Sequence, residues 1–157
     1  LHLFGIMRSF QGTGSRCSGL FFAPHLVNNQ SGIMARIRIK RVYEAPAPDD
    51  GCRVLVDKLW PRGVRKDALH YDIWAKDLAP SAELRIWYHA DPAGRWAEFR
   101  RRYTEELRGS QAVRDFIREI ADTETVTLLY ASKNAAENHA LILQEYLQHA
   151  AEGVKAV

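Results

Sequence analysis

The stretch that decides the fold is residues 54–66, which read Val-Leu-Val-Asp-Lys-Leu-Trp-Pro-Arg-Gly-Val-Arg-Lys. Its first three residues form a continuous apolar run, which is typical of a strand buried inside a sheet. The ten residues that follow contain one carboxylate, four cations and an indole. Ordinary turn residues are enough to end a strand. This concentration of charge therefore indicates a site at the end of the strand.

Strands and helices alternate on both sides of this stretch. Strands are predicted at 36–43, 53–59, 71–74 and 125–130, and helices are predicted after Ser81, Asp91, Gly109 and Asn134. The 36–43 strand alternates charged and apolar side chains, which places it near a sheet edge. Asn134 is predicted to cap the last helix, with Glu137 in the capping-box position. The pattern predicts an α/β fold: a single small domain with a mostly parallel short sheet flanked by helices.

This domain is predicted to occupy residues 34–150, followed by a tail at 151–157. Residues 1–33 are rich in Gly, Ser and Asn, contain no acid and show no sustained periodicity. We interpret them as a disordered leader outside the native domain, with Met34 as the natural start. The alternative is a signal or transit peptide, although the apolar residues 20–23 are too short for a signal sequence.

Charge is distributed locally rather than globally. The net charge is +3, but from Met34 onward 20 bases face 19 acids. Residues 36–66 hold nine of those bases and only four acids. The basic region therefore coincides with the stretch at 54–66, and the rest of the domain gives little support to general nucleic-acid binding.

Several classes of protein are disfavoured by composition. No segment approaches the roughly 20 apolar residues of a membrane helix. Cys17 and Cys52 are too few for a disulfide framework or a cysteine metal site, so a reducing cytoplasm is the expected location. No cluster of Asp, Glu and His has the spacing of metal ligands, and no glycine-rich nucleotide motif occurs. We therefore predict no metal and no cofactor.

Two strand ends carry the candidate site. In an open α/β sheet, ligands bind beyond the carboxyl ends of the strands, so residues 57–66 and 131–134 meet if their strands are parallel neighbours. Asp57 and His139 are the candidate acid–base residues, although Asp57 pairing with Arg62 and His139 as a packed or capping residue are open alternatives. The predicted ligand contacts are Lys58, Trp60, Arg62, Lys133 and Asn138.

Three motifs resemble those of a known family. They are residues 54–63, residues 78–85 (Leu-Ala-Pro-Ser-Ala-Glu-Leu-Arg) and residues 127–133 (Thr-Leu-Leu-Tyr-Ala-Ser-Lys). Together they resemble the YeaO-like branch of the domain of unknown function 488 family, over residues 37–147. The resemblance implies a compact cytosolic α/β domain of bacterial type, and the family has no settled activity. Longer members carry a Cys-His-Arg-like cluster where this chain has Asn138-His139-Ala140, so thiol or arginine chemistry does not carry over.

Three functions remain open at this stage. The first is binding of a phosphorylated or carboxylated small molecule, with Arg62 and Lys133 holding the anion. The second is a nucleic-acid-binding module that uses residues 36–66 and stacks Trp60 on a base. The third is a structural or protein-interaction domain. Ser81 and Ser132 have no adjacent histidine, so the sequence gives no support to nucleophilic catalysis.

Overall fold

A parallel sheet forms the centre of the computed structural model, which describes residues 35–153. Its strands are β1 (Arg36–Arg41), β2 (Cys52–Leu55), β3 (Ile73–Trp74) and β4 (Thr125–Tyr130), in the spatial order β1-β4-β2-β3. Each neighbouring pair is parallel. The prediction of a parallel α/β sheet with its first strand at an edge is confirmed. The predicted leader and the proposed start at Met34 lie outside the described residues.

Four helices complete the described part of the chain: α1 (Ala82–His89), α2 (Pro92–Gly109), α3 (Gln111–Glu119) and α4 (His139–Gly153). The side chains of Ser81 and Asp91 cap α1 and α2 as predicted, by accepting bonds from backbone N–H groups three residues later. Such bonds satisfy donors that the first helical turn leaves unpaired. The last helix runs to Gly153, past the domain boundary predicted at 150.

The start of α4 corrects one prediction. The helix begins at His139, and its cap is Asn138 rather than Asn134, because Asn138 Oδ1 accepts the Leu141 N–H at 3.1 Å. Asn134 instead closes a turn before the helix, where its Oδ1 accepts the N–H groups of Ala136 and Glu137 at 3.0 Å. Two side chains of the same type compete here, and the tertiary position of His139 favours the later one.

The two faces of the sheet are covered differently. All four helices pack on one face, here called the helix face, where the larger core cluster includes Val54, Val56, Leu128 and Leu143. Residues 56–72, which link β2 to β3, cover the other face, here called the loop face. The loop-face cluster consists of Val42, Leu55, Leu69 and Leu129, with Trp60, Val64, Tyr71, Trp74 and Ala131 packed against it. The predicted flanking helices therefore occupy one face only.

A buried ionic network supports the sheet on its loop face. The Asp50 carboxylate bonds to Lys40 Nζ at 3.2 Å, to the Arg53 guanidinium and to the Ala47 N–H at 2.9 Å. The Asp50 carbonyl accepts a bond from Thr127 Oγ1 at 2.6 Å, which ties the network to β4. Burial, the largest influence, raises the pKa of Asp50, but the bonds from Ala47, Lys40 and Arg53 outweigh it and lower the pKa below its ordinary value.

Replacing Asp50 is expected to destabilise the fold strongly. The substitution Asp50→Asn leaves the cations of Lys40 and Arg53 without their counter-charge, and breaking a buried ion pair costs about 3–5 kcal/mol. The neighbouring Asp49 pairs with Arg38 on the surface, so Asp49→Asn is a matched control that should change stability by less than about 1 kcal/mol. Urea unfolding followed by circular dichroism measures both values, and equal losses in the two variants would contradict the proposed role of the network.

Candidate functional site

The strands β2 and β4 lie side by side and end at the same edge of the sheet. The segment after β2, residues 56–72, leaves the sheet toward the loop face, whereas α4 follows β4 on the helix face. In open α/β sheets, ligands bind where segments from adjacent strands leave in opposite directions. We call the space beyond Leu55 and Tyr130, between residues 56–72 and the start of α4, the strand-end crevice.

Asp57 joins the two walls of this crevice. Its Oδ2 accepts the Ala131 N–H at 3.0 Å, and its Oδ1 lies 3.3 Å from His139 Nε2. The Asp57 carbonyl accepts a bond from Trp74 Nε1 at 2.8 Å, so β3 also holds this residue in place. The two candidate acid–base residues are therefore neighbours in space. The alternative pair between Asp57 and Arg62 is not among the contacts of the described residues, because the carboxylate is directed to His139 and Ala131 instead.

The contacts of His139 determine which ring nitrogen carries its hydrogen. Nε2 lies 3.1 Å from the Val56 carbonyl oxygen and 3.3 Å from Asp57 Oδ1, and both of these atoms are acceptors. Because the Val56 carbonyl, the nearer of the two, can only accept, we assign the hydrogen of the neutral imidazole to Nε2. Nδ1 then keeps a lone pair, and it can accept a proton or a hydrogen bond from a ligand. The Tyr103 ring packs edge-on at 6.4 Å between centroids.

Burial favours the uncharged forms of both partners. It raises the pKa of Asp57 above its ordinary value, and the opposing effects of His139 and the Ala131 N–H are smaller. It also lowers the pKa of His139, even though the Asp57 carboxylate and a backbone carbonyl act in the other direction. The positive charges of Arg85 and His89 lower the pKa of His139 further. Desolvation thus outweighs mutual attraction in this pair.

The three predicted cations differ in whether they are paired with a carboxylate. Lys58 is paired with Asp77 at 3.9 Å. Arg62 and Lys133 are exposed, and within residues 35–153 neither side chain forms an ion pair or a hydrogen bond. An exposed cation without a carboxylate partner is available to an anionic ligand. Two of the three predicted cations therefore have the freedom that anion binding requires.

Arg41 connects these two free cations through a chain of contacts. Its Nε donates to the Ser132 carbonyl at 3.0 Å, one residue before Lys133, and its guanidinium lies 5.0 Å from the centre of the Tyr43 ring. The Tyr43 hydroxyl in turn donates to the Arg62 carbonyl at 3.1 Å. This chain places the backbones of Arg62 and Lys133 on the same border of the sheet.

Trp60 and Asn138, two of the predicted ligand contacts, hold the fold together. The Trp60 ring packs edge-on against Tyr71 and Trp74, and its Nε1 donates to the Val64 carbonyl at 2.7 Å. Asn138 is buried, and its amide bonds to backbone groups on both sides of the start of α4. Both side chains are thus held by contacts within the protein and support the segments that border the strand-end crevice.

Two residues near the strand-end crevice are not among the residues predicted for the site. Arg41 lies in the 36–43 strand, whose alternating pattern predicts only a position near a sheet edge. The pairing of this strand with β4 brings its end to the strand-end crevice. Arg85, the last residue of the 78–85 motif, lies close enough to His139 for its charge to affect the ring. The 78–85 motif could have indicated Arg85, because a helix cap and core packing account for other residues of the motif but not for this arginine.

Two kinds of feature are absent from the described residues. Within residues 35–153, no group of three or more His, Cys, Asp or Glu side chains is arranged to hold a metal ion. No helix in this part of the chain is both long enough and apolar enough to cross a membrane.

Known proteins are similar to this chain over most of its length. Residues 36–156 match the model of a family described as the inactive DUF488-N3 subclade. The chain is 48% identical over 112 residues to the uncharacterized protein Rv3073c of Mycobacterium tuberculosis, which covers 71% of this chain and 93% of the relative. It is 42% identical over 112 residues to the uncharacterized protein YeaO of Escherichia coli, covering 71% and 96%. No solved structure matches the chain.

These matches define the family. The chain is a YeaO-like protein of the domain of unknown function 488 family, within the subclade described as inactive. The resemblance predicted from the three motifs is confirmed.

The lowered pKa of His139 predicts how stability changes with pH. An unfolded histidine takes up a proton near pH 6.5, whereas the folded state resists it, so stability should fall as the pH drops from 7.5 through this value. The substitution His139→Gln should reduce this slope by up to about 1.4 kcal/mol per pH unit, which corresponds to one proton. Urea unfolding at pH 5.5, 6.5 and 7.5 measures the slope. The exposed His149 on α4 provides the control variant His149→Gln.

The raised pKa of Asp57 changes the pH dependence of stability in the opposite direction. The folded state binds a proton at Asp57 more readily than the unfolded chain does, so this residue favours the folded state as the pH falls. Asp57→Asn removes this effect and also removes the carboxylate that favours the charged form of His139. The loss of stability with falling pH should therefore become steeper in Asp57→Asn. An unchanged slope in both His139→Gln and Asp57→Asn would contradict the assigned burial of the pair.

Proposed function

We propose that this domain binds an anionic small molecule, a phosphorylated or carboxylated compound, in the strand-end crevice. The observation that carries the proposal is the position of the Asp57–His139 pair where the segments after β2 and β4 leave toward opposite faces. Crevices at such points are the usual ligand sites of open α/β sheets. The exposed cations Arg62 and Lys133 supply charge of the required sign.

Arg62 and Lys133 hold the anion from the outer border of the crevice. A guanidinium group can bond to two oxygens of a phosphate or carboxylate, and an ammonium group adds a point charge. Both side chains start from backbone that the contacts of Arg41 and Tyr43 fix in place. Binding then has to order only the two side chains, which limits its entropic cost.

Binding without turnover is the form of this proposal that the family description supports, since it calls the subclade inactive. In this form, Asp57 orients His139, and the free lone pair of Nδ1 contacts the ligand. A catalytic role for Asp57 and His139 stays a prediction. A cytoplasmic location, where phosphorylated metabolites are abundant, belongs to the same proposal.

The nucleic-acid alternative receives less support from the contacts. Five of the nine bases between residues 36 and 66 are paired with carboxylates, namely Arg38, Lys40, Arg53, Lys58 and Arg65. Trp60, the proposed stacking residue, is packed against other rings. A protein-interaction role also has little support, because the large apolar side chains exposed in the described part of the chain are scattered over two loops and α1: Tyr43, Leu59 and Ile86.

A thermal-shift screen against phosphorylated metabolites, nucleotides and simple carboxylates tests the proposal. At least one anion is expected to raise the melting temperature of the wild-type chain, because a ligand that binds only the folded state stabilises it. The variants Arg62→Ala and Lys133→Ala should each weaken binding of that anion by roughly tenfold, as expected for the loss of one charged contact. Isothermal titration calorimetry gives the dissociation constants.

The control is Arg118→Ala, which removes an exposed arginine of α3 that pairs with Asp115 and lies on another element. Arg118→Ala should leave the affinity for the anion unchanged. A loss of affinity in Arg62→Ala but not in Arg118→Ala then shows that the effect is local to the site. If no anion stabilises the wild-type chain, or if Arg62→Ala and Lys133→Ala both bind as tightly as the wild type, the proposed function is wrong.

A further inference from the structure

The 78–85 motif ends in an arginine whose side chain has no polar partner within residues 35–153. The Leu78 carbonyl accepts the Tyr103 hydroxyl at 2.5 Å, which fixes the segment before α1 against α2. Ser81 caps α1, and Leu84 is buried in the helix-face core. Arg85 closes the motif, and within the described residues its side chain makes no hydrogen bond or ion pair.

This side chain also has an unsatisfied donor. The Nε atom of Arg85 is buried and has no hydrogen-bond partner within residues 35–153. A buried donor on a charged group is costly when it is unpaired, and such groups are rare unless a ligand, an ion or a water completes them. Within the described part of the chain, the guanidinium therefore has no negatively charged acceptor.

A second basic residue lies near Arg85. Arg85 and His89 lie on the same side of α1, four residues apart, and both lower the pKa of His139 at the start of α4. The Asp57 carboxylate faces the same ring, and it accepts a bond from the Ala131 N–H. The Glu137 carboxylate raises the pKa of Tyr88 on α1, but no carboxylate of residues 35–153 forms an ion pair with Arg85.

Aromatic packing fixes the distance between α1 and the start of α4. The rings of Tyr88 and Phe99 stack at 4.2 Å, Phe99 and Tyr103 follow at 5.9 Å, and Tyr103 reaches His139 at 6.4 Å. This chain of rings runs from α1 through α2 to α4. Arg85 lies three residues before Tyr88, on the helix where this chain of rings begins, so packing that does not depend on any ligand fixes the position of its backbone relative to α4.

We propose that Arg85 and His139 form an inner subsite that binds a phosphate group between α1 and the start of α4. This inference rests on the proposed function, since it assigns the buried end of the same crevice. The Nε–H and one terminal N–H of Arg85 donate to two phosphate oxygens in the side-on geometry typical of guanidinium groups. Nδ1 of His139 accepts the hydrogen of a monoprotonated phosphate, or it donates once the ring is protonated.

Titration of the full chain with inorganic phosphate tests this subsite, with binding measured by calorimetry and the His139 ring followed by NMR. In the wild type, phosphate should bind and raise the pKa of His139, because an anion stabilises the protonated ring. Arg85→Gln should weaken phosphate binding roughly tenfold to hundredfold, the range for losing bonds to a charged group. The control Arg114→Gln makes the same charge change on an exposed arginine of α3 and should bind as the wild type does.

Each result separates the subsite from the proposed function. If phosphate binds the wild type and Arg62→Ala weakens it but Arg85→Gln does not, the crevice binds anions and the inner subsite is wrong. If the wild type binds neither phosphate nor any anion of the thermal-shift screen, both proposals fail. Should Arg85→Gln not fold, His139→Gln provides the second test, and phosphate affinity equal to that of the wild type would overturn the subsite.

Discussion

The candidate site depends on the contacts of the Asp57 carboxylate. One of its oxygens accepts the N–H of Ala131, and the other faces the ring of His139. It thereby connects the end of β2 to the residue that follows β4 and to the first turn of α4. Because the pair is mostly withdrawn from water, burial opposes the charges that would otherwise strengthen it. Burial thus raises the pKa of Asp57 and lowers that of His139.

The two faces of the sheet are covered by different kinds of structure. Helices pack on one face, and a long connection rich in aromatic side chains packs on the other. The chain therefore leaves β2 and β4 in opposite directions. Trp60 and Trp74 keep the connection in place through edge-on ring contacts, and Trp74 also bonds to the Asp57 backbone. The aromatic side chains of Trp60 and Trp74, which by residue type are suited to stacking on a ligand, thus hold the connection between β2 and β3 in place.

Sequence reasoning succeeded where the signal is local. The strands, the parallel α/β class and the caps Ser81 and Asp91 follow from periodicity and from bonds within a few residues. It failed where two local solutions were equally good, as with Asn134 and Asn138, because the choice depends on where His139 packs. In the sequence, Asp57 and His139 are two separate candidates for acid–base residues. Arg62 is the alternative partner of Asp57 there, because it is closer in the chain.

By itself, the sequence determined the family, the order of the elements and the basic strand end, because these depend on residue types and their spacing. Only the tertiary structure decided which charges remain available. It pairs Arg53 with Asp50 and Lys58 with Asp77, and it leaves Arg62 and Lys133 without carboxylate partners in residues 35–153. It also brings Arg85 beside His139, 54 positions away in the chain. Such pairings depend on burial and distance, and neither is encoded in the local pattern of a sequence.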